Sequence, residues 1–243
     1  MSRTAWIIID CETLSLNIES APILSIGAFL MGIINTEEDE NPRFWKQIKD
    51  WDKINENFYQ VINFKYQIAS GRKDNKETWE WWNKVGGEAA KLLQESETTT
   101  NTLQQSLIAL SAWIKEIENK VDSVVVLGNG AAFDNALLEI AYREYNLPIP
   151  WKYTHSLCLR TLYATFRLEK ENTAGLTKSE TKNTRIEILK DISITAKDLT
   201  EAKCGKFITH NALHDCVFQA YKAKLMFPRS LWENIANNIH KRK

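Results

Sequence analysis

The chain has 243 residues, 44% of them hydrophobic, and balances 31 Lys and Arg against 31 Asp and Glu. That length suits one large domain with ample apolar material for a core. Zero net charge excludes a broad electrostatic grip on long duplexes, which needs a basic excess, so any contact with nucleic acid is expected to be local and directed at an end.

Trp6 to Asp10 reads as a buried strand, and it ends in Asp10-Cys11-Glu12-Thr13. A strand alternates faces with period two, so Asp10 and Glu12 project to the same side. Two carboxylates on one face repel unless something positive lies between them, and a divalent cation is the obvious candidate. Strand-like runs follow at Ile23 to Leu30 and Phe58 to Asn63. Between them lies the polar segment 35–57, which reads as an inserted loop. Thr78-Trp79-Glu80-Trp81-Trp82 suggests a short helix with an aromatic face. Leu103, Leu107, Leu110, Ile114 and Ile117 recur at helical spacing, which predicts an amphipathic helix over 103–119.

Val124 to Leu127 is a β-branched run closed by Gly128-Asn129-Gly130, a buried strand ending in a turn. Leu137, Ile140, Ala141 and Tyr145 mark a helix that stops before Leu147-Pro148. A further helix is expected over 156–167, and the last two near 211–225 and 230–240. Residues 168–206, rich in Lys, Glu and Thr, read as an insertion or mobile flap. A three-strand meander, a helix, another strand and more helices point to an α/β fold, a mixed sheet covered by helices. No internal repeat is visible. The four cysteines show no zinc-ligand spacing and read as free thiols of a reducing compartment. No leader and no run approaching the roughly 20 apolar residues of a membrane span is present, so a soluble, cytoplasmic protein is expected.

Two later acids complete a set. Asp134 follows the strand-ending glycines; it could cap the next helix, and it also stands where an α/β sheet opens its usual cleft. Asp215 follows His210-Asn211-Ala212-Leu213-His214 in a helix whose other inward positions are small and apolar. Asp10, Glu12, Asp134 and Asp215 would supply carboxylates for two divalent cations about 4 Å apart, and a neutral His210 would suit the removal of a proton from water. All-oxygen ligands favour Mg²⁺ or Mn²⁺ over Zn²⁺.

Asp-x-Glu-Thr on a first strand, Asn129-Gly130-x-x-Phe133-Asp134, and His210-x-x-x-x-Asp215, in that order, resemble the three motifs of DEDDh 3′–5′ exonucleases. Thr78-x-x-Trp81-Trp82, Leu147-Pro148-x-Pro150-Trp151 and His210-Asn211-Ala212-Leu213-x-Asp215 further resemble phage and bacterial proteins of the exodeoxyribonuclease VIII-like and 3′–5′ exoribonuclease type. The resemblance covers most of the chain apart from 35–57 and 168–206. It implies a single domain with an RNase H-like sheet of about five strands, the first three antiparallel. It also implies catalysis by the four acids with His210, rather than His214, as base. The implied activity releases nucleoside 5′-monophosphates from single-stranded 3′ ends, with DNA favoured and RNA the alternative, and a homodimer fits the resemblance. A non-catalytic binding module on the same fold is the reading from another class. For the 3′-terminal nucleotide the resemblance points to Thr13 and Leu14, Leu14 wedging beside the base or else packing in the core, with Asn129 and Phe133 lining the same pocket. At least two of Trp79, Trp81 and Trp82 are expected in the core. Cys158 stands where close relatives are expected to carry an acid.

Overall fold

The computed structural model describes residues 2–35, 55–171 and 178–241. Residues 36–54, most of the first expected insertion, lie outside them. Five strands form one mixed sheet: β1 (Arg3–Thr13), β2 (Ile23–Asn35), β3 (Asn57–Val61), β4 (Ser123–Gly128) and β5 (Ser156–Cys158). Their order is β3-β2-β1-β4-β5. β1 pairs antiparallel with β2 and parallel with β4, so it is the central strand. β2 and β3 are antiparallel, and β4 and β5 parallel.

The helices are α1 (Phe64–Ala69), α2 (Lys76–Val85), α3 (Gly87–Thr98), α4 (Leu103–Glu118), α5 (Asp134–Glu144), α6 (Leu159–Glu171), α7 (Lys178–Cys204), α8 (Ala212–Met226) and α9 (Arg229–His240). The starts follow local chemistry. Thr102 and Gln105 form a reciprocal capping box on α4, and the Asn75 and Asn211 side chains cap α2 and α8.

Alternation along β1 divides the core. Ala5, Ile7, Ile9 and Cys11 face α4 and α5, together with Val124 and Val126. Trp6 and Ile8 face α8 and α9, where Trp6 meets Trp232 edge-on at 5.0 Å. Each large side chain so buried stabilises the fold by about 1.5–3 kcal/mol. A third cluster, under α1 to α3, holds Leu14, Leu24, Phe64 and Trp82.

Three expectations are corrected. A helix does not begin at residue 156; 156–158 form the short strand β5, and α6 starts at Leu159. Helices α1 and α3 were not anticipated. The flap expected within 168–206 is, over 178–204, a helix packed along α8. Its contact face is Leu189, Ile192, Ala196 and Thr200, the last two fully buried. These residues keep helical spacing, but two are small or polar, so the pattern is weak in hydropathy.

Gly27 sits on β2 opposite Asp10 and receives the N-terminus of α8. A Cβ at Gly27 would lie 2.2 Å from the carbonyl carbon of Ala212 and 2.4 Å from the nitrogen of Leu213. Both obstacles are backbone, so neither can turn aside. Gly27→Ala is therefore expected to destabilise the protein by at least about 3 kcal/mol, the upper end of overpacking costs. A thermal melt equal to wild type would overturn this account of the docking.

Candidate active site

β1 ends its Trp6–Ile8 face with Asp10 and Glu12, so the stripe that packs under α8 turns acidic where the sheet opens. Two helix starts then bring acids to it. Gly128, at the end of β4 beside Ile9, has no side chain; a Cβ there would meet Asn135 Oδ1 at 2.5 Å and Asp134 Cβ at 3.3 Å. The start of α5 thus presses against the sheet. Asp134 does not cap that helix, whose cap position is Phe133. Its Oδ1 instead accepts the Cys11 backbone N–H at 3.3 Å, which ties α5 to β1 between the two strand acids. Asp215 arrives on the first turn of α8, and its Oδ2 accepts the His210 backbone N–H at 3.1 Å.

The four carboxylates crowd one another. Burial, then Asp134, Glu12 and Asp215, raise Asp10 well above its ordinary pKa. Burial and the charges of Asp215 and Asp134 push Glu12 up to about 8. Burial raises Asp134 to about 6, although N–H groups of Gly130, Cys11 and Asp134 itself and the charge of Arg160 pull the other way. Burial also raises Asp215 to about 6 against the hydrogen bond from His210. Four acids gathered in one place, each held above its ordinary pKa, fit a site for hard divalent cations, which would remove the repulsion.

A stability prediction follows with a definite sign. The folded protein keeps protons on Glu12, Asp134 and Asp215 at pH values where the unfolded chain has released them. Stability in metal-free protein should therefore fall as pH rises from about 4 through 6 and on to 8. In EDTA the melting temperature is expected to be lower at pH 8.5 than at pH 5.5, and saturating Mn²⁺ should recover the difference at pH 8.5. A metal-free melting temperature that rises over this range would contradict the raised carboxyls.

His210 occupies the loop between α7 and α8 at φ +62°, a left-handed conformation uncommon for a side-chain-bearing residue. Its imidazole, Glu12 and Asp215 each offer a ligand atom within 4.8 Å of the others. Burial lowers its pKa, so it is neutral near pH 7 and able to accept a proton. His214 has a different task. Its Nδ1 accepts the Ile208 backbone N–H at 3.1 Å and its ring packs near Phe207, holding the loop that carries His210.

Residues 5–227 match the model of the Rv2179c-like 3′–5′ exoribonuclease domain, a span that contains all five of these residues. The chain belongs to the Rv2179c-like family. The family match is to that domain and not to the exodeoxyribonuclease VIII-like proteins. Among solved structures, the nuclease domain of 3′hExo, a DEDDh family member bound to rAMP, matches with a TM-score of 0.51 at 17% identity, over 91% of this chain and 90% of that one. The fold is the RNase H-like fold of DEDDh nucleases. No curated protein sequence matches the chain.

A cleft of about 600 Å³ opens beside Glu12 in this Rv2179c-like domain. Thr13, Ser15 and Leu16 form one wall, Trp81 and Thr78 of α2 another, and Phe133 stands at its edge. Two expected pocket residues are placed elsewhere. Leu14 is 0% exposed and packs with Leu24, Phe64 and Trp82, so its side chain cannot lie beside a base. The pairing of β1 with β2 shifts between Glu12 and Thr13, and the Leu14 backbone is then held by Pro22 and Asn75. An apolar residue that does line the cleft is Leu16, 79% exposed. Asn129 lies half-buried in the turn after β4 and is not among the lining residues. Trp82 is buried and Trp79 packs partly against the third cluster, while Trp81 stays 42% exposed.

Cys158 closes β5 at the start of α6. Burial pushes its thiol pKa up, but hydrogen bonds from the Thr161 side chain and from the N–H groups of Ala131, Thr161 and Arg160 outweigh this and hold it below the ordinary value. The sulfur makes the contacts an acid would make at a helix start. Arg160 extends from the same turn over Gly130, its guanidinium 3.3 Å from where a Cβ would stand.

Proposed function

We propose that this domain is a two-cation 3′–5′ exonuclease that removes nucleoside 5′-monophosphates from single-stranded 3′ ends, with RNA as a substrate. The observation that carries the reading is the convergence of four acids and a neutral imidazole, with Glu12 of that cluster also lining a cleft of about 600 Å³. The name of the family supports RNA, and nothing about this chain supports the DNA preference expected from its sequence.

Asp10, Glu12, Asp134 and Asp215 would hold Mg²⁺ or Mn²⁺. Such cations lower the pKa of an attacking water and stabilise the leaving oxygen of an in-line displacement. His210 takes a proton from the water as its oxygen bonds to phosphorus and the P–O3′ bond breaks. The shortened strand leaves with a 3′-hydroxyl and the released nucleotide keeps the phosphate on its 5′ carbon. Asp215 accepts the His210 N–H and so fixes the backbone that aims the imidazole. Leu16 and Phe133 exclude water from around the terminal nucleoside, and Trp81 offers a face for its base.

The test uses 5′-labelled RNA and DNA strands of one sequence, free or 3′-phosphorylated, single-stranded or blunt, with Mn²⁺. Laddering from the 3′ end of the free single strand is expected. A 3′-phosphate should block it by facing the carboxylates, and a blunt end should be slow because unpairing costs a few kcal/mol. Cleavage of a circular single strand would overturn the exonuclease reading.

A further inference from the structure

The loop that carries His210 gives its ring little support. The backbone N–H is fixed by Asp215, but among the described residues nothing hydrogen-bonds the imidazole. Carboxylate oxygens of Glu12 and Asp215 come within 4.8 Å of it, and its ring neighbours are aromatic. The Trp81 ring lies 4.8 Å from it, centroid to centroid, at 87°, and the Trp82 ring lies 6.1 Å away at 75°. Trp82 is immobile: it is 1% exposed and its Nε1–H donates to the Thr13 carbonyl at 2.9 Å, one residue beyond Glu12. Trp81 meets Trp82 edge-on at 5.1 Å and keeps a large exposed surface in the wall of the cleft. Besides Trp82, this indole therefore borders both the imidazole and the cleft into which a terminal base would go.

We propose that Trp81 is the positioning residue for His210, so that a base stacked on the indole holds the imidazole in place for proton transfer. The inference rests on the exonuclease reading of this cleft and adds to it a coupling between filling the nucleotide site and orienting the base. Edge-to-face contact is a preferred aromatic geometry, and it fixes direction as well as distance. Without the indole, the imidazole would keep only the more distant Trp82 ring as an aromatic neighbour, at a backbone position in the left-handed region. Trp81 touches neither the reacting phosphate nor the cations in this account; it acts through His210.

The experiment is a double-mutant cycle with Trp81→Ala, His210→Ala and the pair, plus Trp81→Phe, on strands whose last nucleotide carries a base or lacks one. At saturating Mn²⁺, Trp81→Ala should lower kcat by about 10-fold to 100-fold, the scale of a group misplaced by ~1 Å. Trp81→Phe should recover most of that loss. Trp81→Ala should cost almost nothing further in the His210→Ala background, because the two residues act as a unit. If Trp81 served only to stack the base, Trp81→Ala would raise KM, leave kcat alone on both strands and add fully to His210→Ala; that pattern overturns the proposal. A second readout needs no turnover. In NMR spectra of the metal-free protein, which has four histidines, Trp81→Ala should shift the His210 imidazole signals, and a nucleoside 5′-monophosphate should sharpen them in wild type only. Unmoved His210 signals would also overturn it. A wild-type protein without nuclease activity would instead defeat the exonuclease reading, leaving the NMR comparison to decide the Trp81–His210 contact.

Discussion

Glu12→Gln and Asp215→Asn are each expected to reduce turnover by roughly 10³-fold or more. A cation held by these side chains contributes several kcal/mol of charge stabilisation in the transition state, and each 1.36 kcal/mol is a factor of ten in rate. Stability should move the other way. Burial holds these acids above their ordinary pKa values, and neighbouring carboxylate charges raise Asp10 and Glu12 further, so removing one charge relieves the strand acids. In EDTA at pH 8 both variants should melt at or above the wild-type temperature, and both should bind Mn²⁺ more weakly by calorimetry. Asp10→Asn and Asp134→Asn should follow the same rule, with Asp134→Asn keeping an acceptor for the Cys11 N–H. Near wild-type turnover in any two of the four would end the two-cation assignment.

The two histidines near Asp215 should separate cleanly. His210→Ala is expected to lower kcat by roughly 10²–10⁴-fold, the contribution of a positioned general base, with little change in Mn²⁺ affinity. His214→Ala should lose little in kcat and more in stability, about 1 kcal/mol, since the Ile208 N–H loses its acceptor. Rates at saturating Mn²⁺ alongside thermal melts distinguish the two. A severe kcat loss in His214→Ala with a mild one in His210→Ala would exchange their roles.

The features legible in the sequence are those written in local patterns. The paired acids of β1, the helical spacing of α4 and the Gly-rich end of β4 are each visible within a short window, and the mixed sheet follows from their order. Illegible features depend on contacts between distant segments. Gly27 looks like any strand glycine until α8 is laid on it. Leu14 and Leu16 differ by two positions in Thr13-Leu14-Ser15-Leu16-Asn17, and the strand pairing with β2 shifts after Glu12; the first is buried and the second exposed. The packed face of α7 contains Ala196 and Thr200, residues that carry little hydropathy signal although both are fully buried. The contact between Trp81 and His210 spans well over a hundred positions and has no local trace.

The order in which the acids occur along the chain has a consequence for biosynthesis. Of the five residues, Asp10 and Glu12 are made first, then Asp134, and His210 and Asp215 last. At roughly 5–20 residues per second, the ribosome takes many seconds to travel from the first acid to the last. Throughout that time the nascent chain holds an incomplete acid cluster and lacks the imidazole proposed as its base. Closing the site also means docking α8 onto strands formed long before, a non-local pairing of the kind that slows folding. On the proposed reading, a product truncated before residue 210 would lack both the imidazole and Asp215 and is expected to show no nuclease activity.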